Sequence, residues 1–121
     1  MEEEKIYRAL LIDPQTKTVS EVQIKNNLSD WYRTLGCSMV EFCKLNLVSG
    51  TTKINSQFMF DEEGLLKDNI SKFTFHRQPF DYQWFAGKAL MVNIDVYADK
   101  MKDVSKKIQP KHLLDIITWE D

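Results

Sequence analysis

The chain has few of the residues that small metal-bound or cross-linked folds depend on. Its 121 residues include two cysteines, Cys37 and Cys43, and two histidines, His76 and His112. Because no cluster of His and Cys surrounds the cysteines, the sequence predicts no zinc site. A chain of this length can bury enough surface for one core without a cross-link. We therefore expect a protein with no metal and no cofactor.

The chain also lacks an excess of positive charge. Lys and Arg number 16 against 18 Asp and Glu, which gives a formal charge of −2. General nucleic-acid binders usually carry a strong basic excess, so no nucleic-acid partner is expected. Only three of the basic residues are arginines, at Arg8, Arg33 and Arg77, and this leaves few candidates for a bidentate phosphate clamp.

Long apolar runs and a basic leader are absent as well. No apolar stretch reaches the roughly 18 residues that a membrane span requires, and the opening MEEEKIYRALLI is acidic rather than basic. We expect a cytoplasmic protein with reduced thiols and no membrane contact. The composition, 43% hydrophobic and 28% charged, is that of a globular protein, and we expect residues 1–121 to form a single domain.

Alternating apolar and polar residues predict a mostly antiparallel sheet of five to six strands. Residues 5–12 and 18–24 flank the turn signal DPQTKT and predict a hairpin. SMVEFCKLNLV alternates in the same way, and after a Ser-Gly turn TKINSQFMF returns as a further strand that ends at Phe60. AGKALMVNIDVY is almost continuously apolar, which is typical of a strand buried on both faces at the centre of a sheet.

One segment, residues 27–35, has the period of a helix. Four residues fall on one helical face: Leu28, Trp31, Tyr32 and Leu35. Asn27 suits the N-cap, and Gly36 suits the residue just past the end. We expect this to be the main helix, packed against the sheet in an α+β fold. Pro110 predicts the start of a second short helix near the C-terminus, with a strand at Ile116–Trp119 as the rival interpretation.

The stretch FDEEGLLKDN admits two interpretations. In the structural one it is a turn, in which Asp61 or Glu62 accepts backbone N–H groups and Gly64 supplies a positive φ angle. In the other, Asp61, Glu62 and Asn69 contact a ligand. A calcium loop spaces its ligands on alternate positions over about twelve residues, which this stretch does not match, so no metal site is predicted.

The aromatic stretch KFTFHRQPFDYQWF, followed by AGK, also admits alternatives. A pocket for a nucleobase needs a ring for stacking, amides that read base edges and a cation for phosphate. The residues that could supply these groups are Arg77, Gln78, Phe80, Tyr82, Gln83, Trp84 and Lys88. Alternatively, Phe73, Phe75 and Phe85 fill the core while the others cover it. The third interpretation is a protein interface, since Tyr, Trp and Arg dominate binding hot spots.

No catalytic residue is predicted. Neither histidine stands in a recognisable frame with a nucleophile, and the sequence contains no G-x-S-x-G, no G-x-x-x-x-G-K-[ST] and no G-x-G-x-x-G motif. Cys43 falls on the apolar side of its strand pattern and is expected to be a small core residue rather than a reactive thiol. We therefore expect the protein not to be an enzyme.

Several pieces, in this order, resemble a known family: ALLIDP, a helix ending in LGC, VEFCKL, FDEEGLLKDN and FAGKALMVNID. The family is that of small phage and mobile-element proteins catalogued as domain of unknown function 3846. The resemblance covers about Tyr7 to Asp95, and departs from the family in the aromatic insertion between Asn69 and Ala86 and in the tail. It implies an α+β fold and a phage or mobile-element origin, hence the cytoplasm of a host cell, but no reaction.

Three functions follow as hypotheses. The first is a non-enzymatic, phage-type protein that binds a small nucleotide-like ligand and sequesters a host immune signal. Arg77 and Lys88 would hold phosphate, Trp84 or Phe80 would stack on the base, and the acidic stretch would bond ribose or base. The second is a protein–protein inhibitor of a host defence enzyme, and the third is a metal-dependent hydrolase. A homo-oligomer is compatible with all three, because neighbouring copies often complete the pockets of small proteins.

Overall fold

The computed structural model describes residues 5–67, 70–75 and 84–120, and antiparallel strands make up most of them. The strands are β1 (Ile6–Asp13), β2 (Thr18–Lys25), β3 (Val40–Ser49), β4 (Thr52–Asp61), β5 (Lys72–Phe75), β6 (Phe85–Ala86), β7 (Ala89–Asp95), β8 (Lys100–Lys102) and β9 (Ile117–Trp119). The helices are α1 (Leu28–Leu35) and α2 (Pro110–Leu114), with a single 3₁₀ turn at Gly64–Leu66. The prediction of a mostly antiparallel α+β fold is confirmed.

The strands form two sheets. The larger has six strands in the order β2-β1-β7-β4-β3, with β8 paired to the far part of β7. The smaller has three strands in the order β6-β5-β9. Every pairing in both sheets is antiparallel. The predicted hairpin of β1 and β2 is confirmed, and so is the central position of β7. The second sheet was not predicted.

One face of the large sheet packs against the small sheet and α2 in the larger of two apolar clusters. Phe58 of β4, Phe73 of β5 and Leu113 of α2 are all fully buried there. The rings of Phe60 and Phe85 stack with centroids 4.4 Å apart. Three rings of the aromatic stretch therefore point inward, namely Phe73, Phe75 and Phe85. The interpretation that these three rings fill the core is confirmed.

The other face of the large sheet meets α1, but only in part. Trp31 and Leu35 are buried against β-strand residues such as Met59 and Leu90, whereas Leu28 is exposed. The indole N–H of Trp31 donates to the Lys25 carbonyl oxygen at 2.9 Å, and this bond fixes the helix to β2. The prediction of a main helix packed across the sheet is wrong, because eight residues give about two turns and two buried apolar side chains.

The predicted caps of α1 are confirmed. The side chain of Asn27 accepts a hydrogen bond from the Asp30 N–H at 2.8 Å, which satisfies one of the free donors of the first turn. Gly36 ends the helix in the left-handed region with φ 67°, where a residue without Cβ is favoured. Gly36 then turns the chain toward β3.

The lysine-rich tail is more regular than the sequence indicates. The polar, lysine-rich pattern of residues 98–107 is typical of a loop or a frayed helix, but these residues include β8, which forms a hairpin with β7. Pro110 does begin α2, and β9 follows at Ile117–Trp119, so both rival elements of the C-terminus are present in succession. The buried guanidinium of Arg8 in β1 holds the intervening segment through the carbonyl oxygens of Val104, Ser105 and Ile108.

Candidate functional site

The structure describes four of the ten predicted site residues. They are Asp61, Glu62, Trp84 and Lys88. The other six lie outside the described residues and are Asn69, Arg77, Gln78, Phe80, Tyr82 and Gln83. Of the four, Trp84 is 38% exposed, immediately before β6. The four described residues do not share a single cleft.

Asp61 is engaged in the turn that follows β4. One carboxylate oxygen accepts the Glu63 N–H at 3.0 Å, and the other accepts the ammonium of Lys67 at 2.6 Å. The Glu62 N–H donates to the Met39 carbonyl oxygen at 3.0 Å, which ties the turn to the entry of β3. The interpretation of FDEEG as a structural turn is confirmed, and both oxygens of Asp61 already have partners.

Gly64 has a different role from the expected one. It is not among the residues with positive φ, so the prediction that it supplies a left-handed conformation is wrong. A Cβ at this position would lie 2.6 Å from the Ala86 carbonyl oxygen, closer than real Cβ atoms approach. The glycine is needed because the 3₁₀ turn packs directly on the backbone of β6.

Lys88 lines a cleft at one end of the large sheet. The pairing of β1 with β7 ends at Ile12 and Ala89, so Asp13 and Lys88 come directly after the last pair on neighbouring strands. The cleft has a volume of about 320 Å³. We call it the Lys88 cleft, and its lining residues are Asp13, Pro14, Gln15, Leu35, Gly36, Ile70, Ser71, Gly87 and Lys88.

Local backbone geometry shapes the walls of the Lys88 cleft. The carboxylate of Asp13 accepts the Gln15 N–H at 3.0 Å and so holds the β1–β2 turn in place. On the opposite side, the Gly87 N–H donates to the Ser71 carbonyl oxygen at 2.9 Å. Gly87 has φ 81°, which lets the chain change direction between β6 and β7 and joins the two sheets. Gly36 completes the rim.

A second, more open cleft of about 500 Å³ adjoins the first at Gly36. Its lining residues are Tyr32, Arg33, Gly36, Cys37, Ser38 and Lys67. Both cations here have partners, since Arg33 pairs with Asp30 and Lys67 with Asp61. The hydrogen bond to Asp61 raises the pKa of Lys67, so Lys67 keeps its positive charge at neutral pH. By contrast, Lys88 makes no ion pair within the part of the chain that the structure describes.

The thiol nearest these clefts is a poor nucleophile. Burial raises the pKa of Cys37, and the negative charge of Asp61 raises it further, against weaker opposing effects of the Met39 N–H and Lys67. Burial raises the pKa of Cys43 as well, with a contribution from Glu41. Among residues 5–67, 70–75 and 84–120, no three His, Cys, Asp or Glu side chains are grouped as metal ligands.

Sequence reasoning found Lys88 but missed its neighbours. Asp13, Gln15 and Ser71 line the same cleft. The sequence placed Asp13 and Gln15 in the turn DPQTKT and assigned no role to Ser71. Asp13 and Lys88 are 75 residues apart, and only the register of β1 on β7 brings them together. Trp84 is not among the described residues that line either cleft.

Comparison with known proteins gives no further assignment: the chain matches no protein-family model, no curated protein and no solved structure. The helices within the described residues are all too short or too polar to cross a membrane.

Proposed function

We propose that this protein binds a small nucleotide-like ligand in the Lys88 cleft and does not transform it. The observation that supports this most is that Lys88, which has no ion-pair partner among the described residues, lines a concave cleft of about 320 Å³ with both polar and apolar residues. Small-molecule sites are concave, have volumes from about 300 Å³ upward, and combine an apolar wall with a few fixed polar groups. The Lys88 cleft has each of these properties.

Each part of such a ligand has a matching group. The ammonium of Lys88 suits a phosphate, because it is a compact cation without a competing carboxylate partner among the described residues. Asp13 suits ribose hydroxyls, because one of its oxygens holds the turn and the other has no hydrogen-bond partner among the described residues. The side chains of Leu35 and Ile70 give a base an apolar surface. In this proposal Asp13 replaces Asp61 as the acidic contact, since Asp61 is occupied by Lys67.

The predicted residues outside the described ranges stay part of the proposal. Asn69 directly precedes Ile70, which lines the cleft, and Arg77 lies on the connection from β5 to β6. Phe80 and Tyr82 lie on that connection too, and Trp84 follows it. Together they would add an arginine and stacking rings to a cleft that already offers a phosphate contact.

The biological role that we propose rests on the resemblance to phage proteins. A protein that holds a nucleotide without turning it over lowers the free concentration of that nucleotide. In a host cell whose immunity depends on a nucleotide signal, a phage protein with this property would blunt the response. Supporting features are the Lys88 cleft and the raised pKa of the neighbouring Cys37 thiol, which disfavours nucleophilic catalysis there.

Release of the bound ligand tests this proposal. Protein purified from cells that make nucleotide signals is denatured, and the supernatant is analysed by mass spectrometry. We expect an intact, unmodified phosphorylated nucleotide in near-stoichiometric amount. Recovery of only a cleaved product would show an enzyme instead, and a supernatant without any phosphorylated compound would refute the proposed ligand class.

A further inference from the structure

A third cleft lies away from Lys88, where two hairpins of the large sheet diverge. β4 pairs with β7 only from Phe60–Ala89 to Gln57–Val92. Beyond that point β4 continues with β3, whereas β7 continues with β8. A cleft of about 520 Å³ opens between the two hairpins. We call it the hairpin cleft, and its lining residues are Lys44, Gln57, Asn93, Ile94, Asp95, Val96, Tyr97, Lys100 and Lys102.

The hairpin cleft exposes strand edges that have no partner strand within the described residues. β8 lies along the edge of β7 that faces β1. This position follows from the hydrogen bond that the Val104 N–H, just after β8, donates to the Arg8 carbonyl oxygen of β1 at 3.0 Å. The β4 side of Asn93–Asp95 is therefore open, and so is the β7 side of Thr52–Ser56. Free strand edges accept an added extended chain through backbone hydrogen bonds.

The cleft is positively charged although the whole chain carries −2. Lys44, Lys100 and Lys102 are all exposed, and none forms an ion pair within the described residues. The single acid of the lining, Asp95, uses one oxygen to accept the Tyr97 and Ala98 N–H groups at 3.1 Å, which builds the tip of the hairpin. Three lysines against one acid attract an acidic partner and repel a basic one.

Exposed apolar groups stand next to these lysines. At the tip of the β7–β8 hairpin the Tyr97 side chain is fully exposed, and Val96 is 43% exposed. Ile94 lies beside them at the base of the cleft. A ring and an aliphatic side chain surrounded by charge are typical anchors of a protein interface, where they bury apolar area against the partner.

We propose that the hairpin cleft binds an extended, acidic segment of a protein partner, which adds as a strand to the free edge of β7 at Asn93–Asp95. Phosphate polyanions fit less well, for two reasons. The described residues of the lining include no arginine, and Asp95 already takes the backbone N–H groups of the tip that would otherwise hold phosphate. A free strand edge also has no complement on a nucleic acid. This proposal does not depend on the Lys88 cleft or its ligand.

Fluorescence anisotropy tests the proposal with peptides of defined chemistry. The probe is a fluorescein-labelled peptide of alternating Glu and Val, compared with a Lys and Val peptide and with an oligothymidylate of similar length. We expect the acidic peptide to bind at least about tenfold more tightly than either comparison probe, and more weakly as salt rises. No binding of the acidic peptide up to about 1 mM, or equal binding of the oligothymidylate, would overturn the proposal.

Two variants and one modified peptide locate the contact. Lys100→Glu combined with Lys102→Glu should weaken binding of the acidic peptide about tenfold, because two attractions become repulsions. The matched control, Lys107→Glu combined with Lys111→Glu, makes the same change of net charge at exposed sites outside the cleft lining and should change binding less than about twofold. Equal losses in the two double variants would refute a local site.

The backbone contact has its own probe. An acidic peptide of the same sequence, methylated on alternate backbone nitrogens, keeps every charge but loses the donors of one strand edge. We expect it to bind about tenfold more weakly than the unmethylated peptide. Equal affinity would show that charge alone holds the peptide and would overturn strand addition.

Both double variants must keep the thermal unfolding midpoint of the parent protein to within a few degrees, which circular dichroism checks.

Discussion

Replacing Arg8 should destabilise the fold far more than replacing an exposed arginine. The Arg8 side chain is 7% exposed, and its guanidinium donates to the carbonyl oxygens of Val104 at 3.1 Å, Ser105 at 2.9 Å and Ile108 at 3.0 Å. It also pairs with Glu21. One side chain therefore holds the chain after β8 against the start of β1, and with it the base of the β7–β8 hairpin.

The cost of Arg8→Ala can be worked from these contacts. Two of the three carbonyl oxygens are buried with their donor, and each would be left without its partner. An orphaned buried acceptor costs about 1–3 kcal/mol, so we expect a loss of about 3 kcal/mol in the free energy of unfolding. A domain of this size is stable by only about 10 kcal/mol. With a urea m-value of about 1.5 kcal/mol/M, the midpoint should fall by about 2 M.

Urea unfolding followed by tryptophan fluorescence measures this loss. Arg33→Ala is the matched control, because the Arg33 side chain is 72% exposed and its partner, the buried Asp30, keeps the hydrogen bond from the Lys25 N–H at 2.7 Å. Its loss should stay below about 1 kcal/mol. Arg8→Lys should fall between the two, since an ammonium keeps the charge but cannot reach all three carbonyls in a plane. Equal midpoints for Arg8→Ala and Arg33→Ala would refute this account of the clamp.

Three further predictions concern the turn, a carboxylate and a thiol. Gly64→Ala should lower the unfolding midpoint relative to the parent protein, because a Cβ at Gly64 would lie 2.6 Å from the Ala86 carbonyl oxygen; an unchanged midpoint would contradict the close approach. Partial burial acts to raise the pKa of Asp30, but hydrogen bonds and positive charges outweigh it and hold the pKa below its ordinary value of 3.8. The stability that this carboxylate contributes is therefore present above that value and lost as pH falls through the lower, folded-state pKa. The free energy of unfolding, measured with urea, should differ between the parent protein and Asp30→Asn at pH 7, and this difference should shrink by about pH 2. A difference that stays constant with pH would contradict the lowered pKa. Cys37 should react with iodoacetamide more slowly than a free cysteine at neutral pH, as read by mass spectrometry, because burial raises its pKa; a faster reaction would contradict this.

The parts of the fold that the sequence predicted are those with local signals. Alternation over eight to ten residues identified β1 to β4, and the continuous apolar run identified β7 as central. Asn27 and Gly36 marked both ends of α1 because capping depends on residues next to the helix. These signals do not indicate how much of a sheet a helix covers, so the predicted packing of α1 against the sheet was too extensive.

The parts that were missed depend on short elements or on register. β6 has two residues, too few to show a period, and β9 has three and was predicted only as an alternative to a helix. β8 has one buried residue, Met101, between two exposed lysines, so its pattern is that of a polar loop. The Lys88 cleft depends on the position of Asp13 beside Lys88, which follows from the pairing of β1 with β7 and not from any local motif.

The most direct test of ligand binding in the Lys88 cleft is the amount of phosphorylated ligand that co-purifies with two charge-reversed variants. Lys88→Glu removes the proposed phosphate contact, and Lys107→Glu makes the same change of charge at an exposed position that is not among the described residues lining the cleft. Both proteins are purified from the same cells, denatured and analysed by mass spectrometry against the parent protein. We expect the Lys107→Glu variant to retain the ligand of the parent and the Lys88→Glu variant to lose most of it. Equal ligand content in the two variants would contradict the placement of the phosphate at Lys88.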